Sequence, residues 1–137
     1  SQSDKNKALS LNQVAWSLKN RFEFDSATSY ARQALTHAEG LDDALVTSDI
    51  YNTFGSIFNN RNQFDSAIYY NELALAKRVE ANDLPSQAVS MNNLSIIYQR
   101  TADYAKAAQL IDRSIEIYEE LGMERSMADS YLNKGNL

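Results

Sequence analysis

The chain has 137 residues, of which 44% are apolar and 23% charged, with four glycines and one proline; this is the composition of one compact domain and excludes disordered and collagen-like classes. Its formal net charge of −5 argues against binding of nucleic acid and against a basic membrane-surface helix. There is no cysteine and one histidine, His37, so neither a disulfide nor a metal or other cofactor is predicted. No stretch is apolar for long enough to insert into a membrane, and a soluble segment of the cytoplasm or periplasm is expected.

Apolar residues recur with helical spacing along the chain, as in Leu84, Ala88 and Met91. The spacing predicts helices over 5–20, 24–39, 43–60, 64–81, 85–100, 104–121 and from 124 onward.

Breaks in this pattern predict how the helices end and begin. Asp42, Asn82 and Gly122 are residue types that tolerate a left-handed, helix-terminating conformation. Asp42 or Asp43, and likewise Asp83, are expected to cap the helices that follow.

An internal repeat relates these elements. Residues 24–27, with the sequence Phe-Asp-Ser-Ala, return as residues 64–67, and residues 104–107 keep the aromatic and the last alanine. The helices therefore form hairpins repeated every 40 residues, in a single array of approximately 4–42, 43–82, 83–122 and a partial 123–137.

The hairpins resemble the tetratricopeptide repeat, which has large and small residues at fixed places in both helices. The second hairpin fits best, with Tyr51, Phe54, Gly55, Phe58, Phe64, Ala67 and Ala74. The resemblance implies an all-α, right-handed superhelix (solenoid) of about three and a half helix-turn-helix repeats. Ala15, Gly55 and Ser95 are expected to be small because the second helix of the same hairpin crosses there.

In the family, the first helix of each hairpin lines a concave groove, and this implies a binding surface for a protein or extended peptide. Asn12, Asn52 and Asn92 recur at the repeat spacing, and a primary amide can pair with a peptide backbone through both its donors and its acceptor. Bonding of these asparagines to a neighbouring helix, or to solvent, is an equal alternative. The candidate binding residues are Asn12, Trp16, Lys19, Asn20, Asp49, Asn52, Ser56, Asn59, Asn60, Asn92, Ile96, Gln99 and Arg100.

No nucleophile with its base, metal motif or phosphate loop is visible, so the sequence does not predict an enzyme. It predicts an interaction scaffold, and the resemblance implies the sensory or adaptor part of a longer bacterial signalling protein. The alternative is a self-assembly element, in which the last half-hairpin, with Met123, Met127 and Tyr131, associates end to end with another copy.

Overall fold

A computed structural model describes residues 1–135, and throughout this range the chain is α-helical with short turns. The helices are α1 (Gln2–Asn20), α2 (Phe24–Ala38), α3 (Ala44–Asn60), α4 (Phe64–Glu80), α5 (Leu84–Arg100), α6 (Tyr104–Leu121) and α7 (Glu124–Gly135). The predicted limits are confirmed to within a few residues, the largest difference being the earlier start of α1. The ends of the predicted last helix and of the partial repeat lie outside the described residues.

Aspartate side chains start α3 and α5 as predicted. The carboxylate of Asp43 accepts a hydrogen bond of 3.1 Å from the N–H of Val46, and that of Asp83 accepts one of 3.1 Å from the N–H of Ser86. Each bond satisfies a main-chain donor that has no partner within the helix. Of the two candidates, Asp43 rather than Asp42 caps α3.

The three predicted left-handed residues adopt that conformation. The φ angles are 52° at Asp42, 56° at Asn82 and 68° at Gly122. Each lies in the turn between one hairpin and the following helix, so the chain changes direction at the residue types best suited to a positive φ.

A second series of left-handed residues lies within the hairpins and was not predicted. The φ angles are 62° at Phe22, 60° at Asn62 and 63° at Ala102. After α1 the N–H of Glu23 donates to the carbonyl of Leu18 (2.9 Å), which is a bond of the Schellman type that closes the end of a helix. Phenylalanine and alanine are strained in this conformation, so the closure is imposed by the hairpin rather than by local preference.

The described chain forms two compact units, and the division lies between α4 and α5. The first unit, residues 1–81, contains α1 to α4. In α1 and α2 the buried residues of its core are alanines, at positions 8, 15, 27, 31, 34 and 38. In α3 they are the larger Val46, Ile50, Phe54 and Ile57. Tyr70 of α4 stacks between the rings of Phe54 and Phe58 at centroid distances of 4.9 and 5.5 Å.

The crossing of α3 and α4 explains why position 55 is glycine. The side chain of Asn71, on α4, lies directly against Gly55 of α3. The prediction that this position must be small because the second helix crosses there is confirmed at Gly55. Ala67, on the same helix as Asn71, is fully buried.

The second unit begins at residue 82 and contains α5, α6 and α7. Ala88, Ile117 and Tyr118 form a buried cluster, against which Met91, Met123 and Met127 pack. Met123, just before α7, and Met127, on α7, are therefore covered in part by their own unit.

Candidate functional site

An open groove of about 840 Å³ runs between α1 and α3 in the first unit. Four of the predicted binding residues line it: Asn12, Trp16, Asp49 and Asn52. Its other lining residues were not singled out from the sequence, and they are Ser10, Gln13, Val14, Ser17, Leu18, Arg21 and Thr53. The structure thus brings residues 40 apart in the sequence, such as Asn12 and Asn52, to one surface.

Trp16 and Lys19 form a pair beside this groove. The Nζ atom of Lys19 lies 3.3 Å from the centroid of the Trp16 ring and donates a hydrogen bond of 3.1 Å to Oγ of Ser56. Lys19 is only 6% exposed, and its burial lowers the pKa of the ammonium group. Since Trp16 remains 40% exposed, the lysine covers part of the ring and leaves another part accessible.

Asp49 is held in place by a buried arginine that the sequence analysis missed. The guanidinium of Arg78, on α4, donates to a carboxylate oxygen of Asp49 at 3.2 Å and to Oγ of Ser48 at 3.3 Å. Arg78 is almost completely buried, whereas the carboxylate of Asp49 is more than half exposed. The ion pair therefore fixes an acidic group at the wall of the groove.

The repeat itself contains the signal for this ion pair. The positions equivalent to Arg78 in the other hairpins are Ala38 and Tyr118, which are buried. A charged residue at a core position needs a partner. The polar pair Ser48 and Asp49 occurs in the same hairpin as Arg78, whereas the equivalent positions are Ala-Leu at 8–9 and Ala-Val at 88–89. The sequence therefore contained the information needed to pair Arg78 with Ser48 and Asp49.

The three repeat-related asparagines differ in their surroundings. Among residues 1–135, no hydrogen-bond donor reaches the buried Oδ1 atom of Asn12. In the second unit, Nδ2 of Asn92 donates to Oγ of Ser130 (2.9 Å), and Oδ1 of Asn92 accepts from the hydroxyl of Ser114 (3.0 Å). The alternative of bonding to a neighbouring helix is thus observed for Asn92, while Asn12 lies at a groove without such bonds.

Substitutions between the repeats explain this difference. The positions in the first unit that correspond to Ser114 and Ser130 are Ala34 and Ile50. Both are fully or almost fully buried, and neither side chain can donate or accept a hydrogen bond. The first repeat has therefore kept the amide of Asn12 but lacks its internal partners.

The remaining predicted residues lie at the ends of the first helices or in the second unit. Asn59 is half-buried, and Asn20, Asn60 and Arg100 are exposed. In α5, Ile96 is 37% exposed. Gln99 donates to the carbonyl of Asn133 on α7 at 3.4 Å, so its amide, like that of Asn92, contacts a helix of its own unit.

The lining of the groove is mostly polar and nearly balanced in charge. Its polar groups are amides, hydroxyls and one charged residue of each sign, Arg21 and Asp49. Within residues 1–135, no three histidine, aspartate or glutamate side chains come together as a set able to hold a metal ion. Over the same residues, the structure contains no helix with the length and apolarity needed to span a membrane.

Solved structures with similar folds cover nearly the whole chain. Aspartyl phosphate phosphatase F from Bacillus subtilis matches with a TM-score of 0.87 and 19% identity over 93% of this chain and 33% of that one. BtubC from P. vanneervenii matches with a TM-score of 0.79 and 21% identity over 98% of this chain and 62% of that one. The N-terminal domain of stress-induced protein-1 from C. elegans matches with a TM-score of 0.72 and 16% identity over 96% of this chain and 99% of that one. At these identities the matches show the fold alone.

Among curated proteins, the uncharacterized protein ycf37 of Guillardia theta is 32% identical over 87 residues, which are 64% of this chain and 45% of that protein. The chain therefore spans about one third of the length of the phosphatase and less than half of ycf37.

Family models agree with the fold. One model of the tetratricopeptide repeat matches residues 8–39, and a second matches residues 50–120, which is more than half of the chain. The predicted fold class, an all-α array of such hairpins, is thereby confirmed. The chain belongs to the tetratricopeptide repeat family.

Proposed function

We propose that the chain is a binding scaffold that holds an extended peptide, or an extended segment of a protein, in the groove between α1 and α3. Tetratricopeptide repeats are in general non-catalytic scaffolds for protein interactions. The observation that supports the proposal most directly is the groove itself, in which Asn12, Asn52 and Trp16 share one open surface.

The mechanism is passive recognition. Amide groups along the groove pair with the main chain of the partner, which selects for an extended conformation rather than for a particular sequence. Trp16 adds a rigid, partly exposed ring on which a side chain of the partner can pack, and such aromatic residues often contribute most to binding. Lys19 and Ser56 hold the covered part of that ring in place.

A finer proposal concerns the context of the chain. We propose that it serves as the adaptor or sensory part of a longer signalling protein, in which an output region responds to the occupant of the groove. The partial coverage of its relatives supports this proposal, because the same fold forms one segment of longer chains.

Selection from random linear peptides displayed on phage tests the proposed function. The affinity of a recovered peptide is then measured by calorimetry for the wild type and for Trp16→Ala, with Gln33→Ala on α2 as a control outside the groove. We expect Trp16→Ala to weaken binding by at least tenfold, corresponding to about 1.4 kcal/mol, while Gln33→Ala retains it. Recovery of no peptide, or equal affinity of Trp16→Ala and wild type, would contradict the proposal.

Self-association is a second candidate function, favoured by the surface of α7. Tyr131 and Leu132 are adjacent on this helix and are 53% and 69% exposed. Sedimentation at increasing concentration tests whether they join copies of the chain. A mass that rises with concentration for the wild type, but stays monomeric for Leu132→Glu, supports it; a wild type that stays monomeric at all concentrations excludes it.

A further inference from the structure

Lys19 places a fixed positive charge against the ring of Trp16. Its Nζ atom lies 3.3 Å from the ring centroid and donates a hydrogen bond of 3.1 Å to Oγ of Ser56 on α3. The side chain is only 6% exposed, whereas lysines usually extend into solvent. The ammonium group is therefore part of the structure beside the groove, and it occupies one side of the indole.

No carboxylate neutralises this charge. Within residues 1–135, no aspartate or glutamate forms an ion pair with Lys19, and burial, not a neighbouring charge, lowers its pKa. Asp49, the acidic lining residue of the groove, is paired with Arg78 at 3.2 Å. The field of the ammonium therefore acts on any group that packs against the accessible part of Trp16.

The combination of tryptophan and lysine belongs to the first hairpin. The equivalent pairs of the second and third hairpins are uncharged and contain no aromatic ring: Ser56 with Asn59, and Ile96 with Gln99. A cation thus occurs at this position in the hairpin whose groove residue is aromatic, and in neither of the other two.

A second cation at Trp16 would be repelled by Lys19 more strongly than the ring attracts it. A cation interacts with an aromatic ring from within about 6 Å of its centroid, which places it within roughly 10 Å of Nζ. At an effective dielectric constant of about 20, like charges this close lower the affinity by about tenfold or more. An exposed contact between a cation and a ring raises the affinity by only about two- to fivefold. Repulsion therefore prevails for a cation, while a neutral side chain does not experience it.

We infer that Lys19 is a specificity-determining residue, which limits the partner's side chain on Trp16 to an uncharged, apolar one and excludes lysine and arginine. The inference rests on the proposed function, and it adds the class of side chain that the ring accepts. An apolar side chain buries area on the indole and has no charge for the ammonium to repel. A carboxylate is attracted by the ammonium but loses hydration against the apolar ring.

Synthetic variants of a peptide recovered in the selection described above test the inference. Replacement of each peptide residue by alanine identifies the one that packs on Trp16, because this replacement weakens binding to the wild type and has little further effect in Trp16→Ala. The peptide is then made with norleucine or with lysine at that residue. The two side chains share an aliphatic stem, and only lysine carries a charge at neutral pH.

Calorimetry measures the affinity of both peptides for the full chain and for three variants of it. Lys19→Met removes the charge and keeps the length of the side chain, and Lys19→Gln keeps a group that can donate to Ser56. Lys7→Met removes an exposed charge elsewhere on α1 and is the matched control. We expect the preference for norleucine over lysine to fall by about tenfold in both variants of Lys19, and to stay as in the wild type in the control.

The ratio of the two affinities separates a role of the charge from a role in folding, because a structural defect weakens both peptides alike. An unchanged ratio in Lys19→Met and Lys19→Gln would overturn the inference, as would a change in Lys19→Met alone or an equal change in Lys7→Met. A peptide in which no residue depends on Trp16 would also overturn it.

The same measurements distinguish this inference from the proposed function. If Trp16→Ala loses the peptide while the ratios are unchanged, the inference is wrong and the groove remains the binding surface. If no peptide is recovered, or Trp16→Ala binds it like the wild type, the proposed function fails and the inference fails with it.

Discussion

Gly55 on α3 and Asn71 on α4 are fitted to one another so closely that a Cβ atom at position 55 would lie 2.9 Å from Cγ of Asn71. The side chain of Asn71 is buried and anchored by a hydrogen bond of 2.8 Å from its Nδ2 to the carbonyl of Ala67. It therefore cannot move aside without losing that bond. The corresponding pair in the first hairpin is Ala15 and Ala31, both fully buried.

This pair predicts a mutation and its rescue. Gly55→Ala alone should lower the free energy of unfolding by about 1–3 kcal/mol, as overpacking of a helix crossing typically does. Adding Asn71→Ala recreates the pair of the first hairpin, removes a buried carbonyl without a partner and adds the better helix propensity of alanine. Urea unfolding of the wild type, both single variants and the double variant measures the coupling. Additive effects in this cycle would show that the two residues do not limit one another.

Ala102 is held at a φ of 63°, where an alanine is strained. Ala102→Gly should therefore stabilise the protein, by about 0.5–1 kcal/mol after the greater freedom of glycine in the unfolded chain is allowed for. Thermal unfolding checks the sign. The matched control is Ala76→Gly, an exposed position within α4, which should destabilise by about 1 kcal/mol. Two changes of the same chemistry should thus act in opposite directions.

The network of Asn92, Ser114 and Ser130 should stabilise the second unit. Ser114→Ala removes a hydroxyl that bonds to Oδ1 of Asn92 and to Oγ of Ser130, and should lower the free energy of unfolding by about 0.5–1.5 kcal/mol, as for the net loss of a hydrogen bond. Hydrogen exchange resolves which helices become less protected, and we expect the effect in α5, α6 and α7. Unchanged protection there would mean that solvent replaces the hydroxyl without loss.

Asp43 should make stability depend on pH in acid. The hydrogen bond from the N–H of Val46, together with Lys5, lowers the pKa of its carboxyl. A lowered folded-state pKa gives stability that is fully present above the unfolded value of about 3.9 and is lost as the pH falls through the folded value. Asp43→Asn keeps an oxygen that can accept the capping bond. Urea unfolding from pH 5 downward, to roughly pH 2.5, should show a shallower loss for Asp43→Asn than for the wild type; equal slopes would count against this role.

The buried charge of Lys19 should contribute little to stability. Its ammonium has a hydroxyl and an aromatic ring as neighbours, and burial lowers its pKa. Lys19→Met keeps the length of the side chain and removes the charge, so we expect a free energy of unfolding equal to or higher than that of the wild type. Trp16 is the chain's one tryptophan, and its fluorescence both follows the unfolding and reports the loss of the cation beside the ring. A clear loss of stability would show that the contacts of the ammonium outweigh its burial.

Much of the fold could be predicted because the information is local and repeated. Helical spacing and the 40-residue period locate all of the described helices, and Asp42, Asn82 and Gly122 have side chains that suit the conformation they adopt. Phe22 and Ala102 could not be identified in this way. Their positive φ is imposed by the packing of the helices on either side, against the preference of the residues themselves.

The candidate site was predicted as a surface but not atom by atom. Asn12, Trp16, Asp49 and Asn52, which the sequence analysis assigned to one face of the first helices, line one groove, and their role in binding stays a prediction. The roles of individual amides depend on residues far away in the sequence: Asn92 is bonded by serines 22 and 38 positions away. The burial of Lys19 likewise could not be predicted, because lysine is usually exposed and its contact with Ser56 forms only when the helices pack.

The left-handed residues that end the helices make the connections between successive helices alike. They occur at every twentieth residue from Phe22 to Gly122, so the turn within a hairpin and the turn between hairpins have the same handedness. A duplication or exchange that began at a second helix would therefore join to its new neighbour through a connection of the same kind as one that began at a first helix. The connections between helices thus repeat every 20 residues, whereas the sequence of the helices repeats every 40.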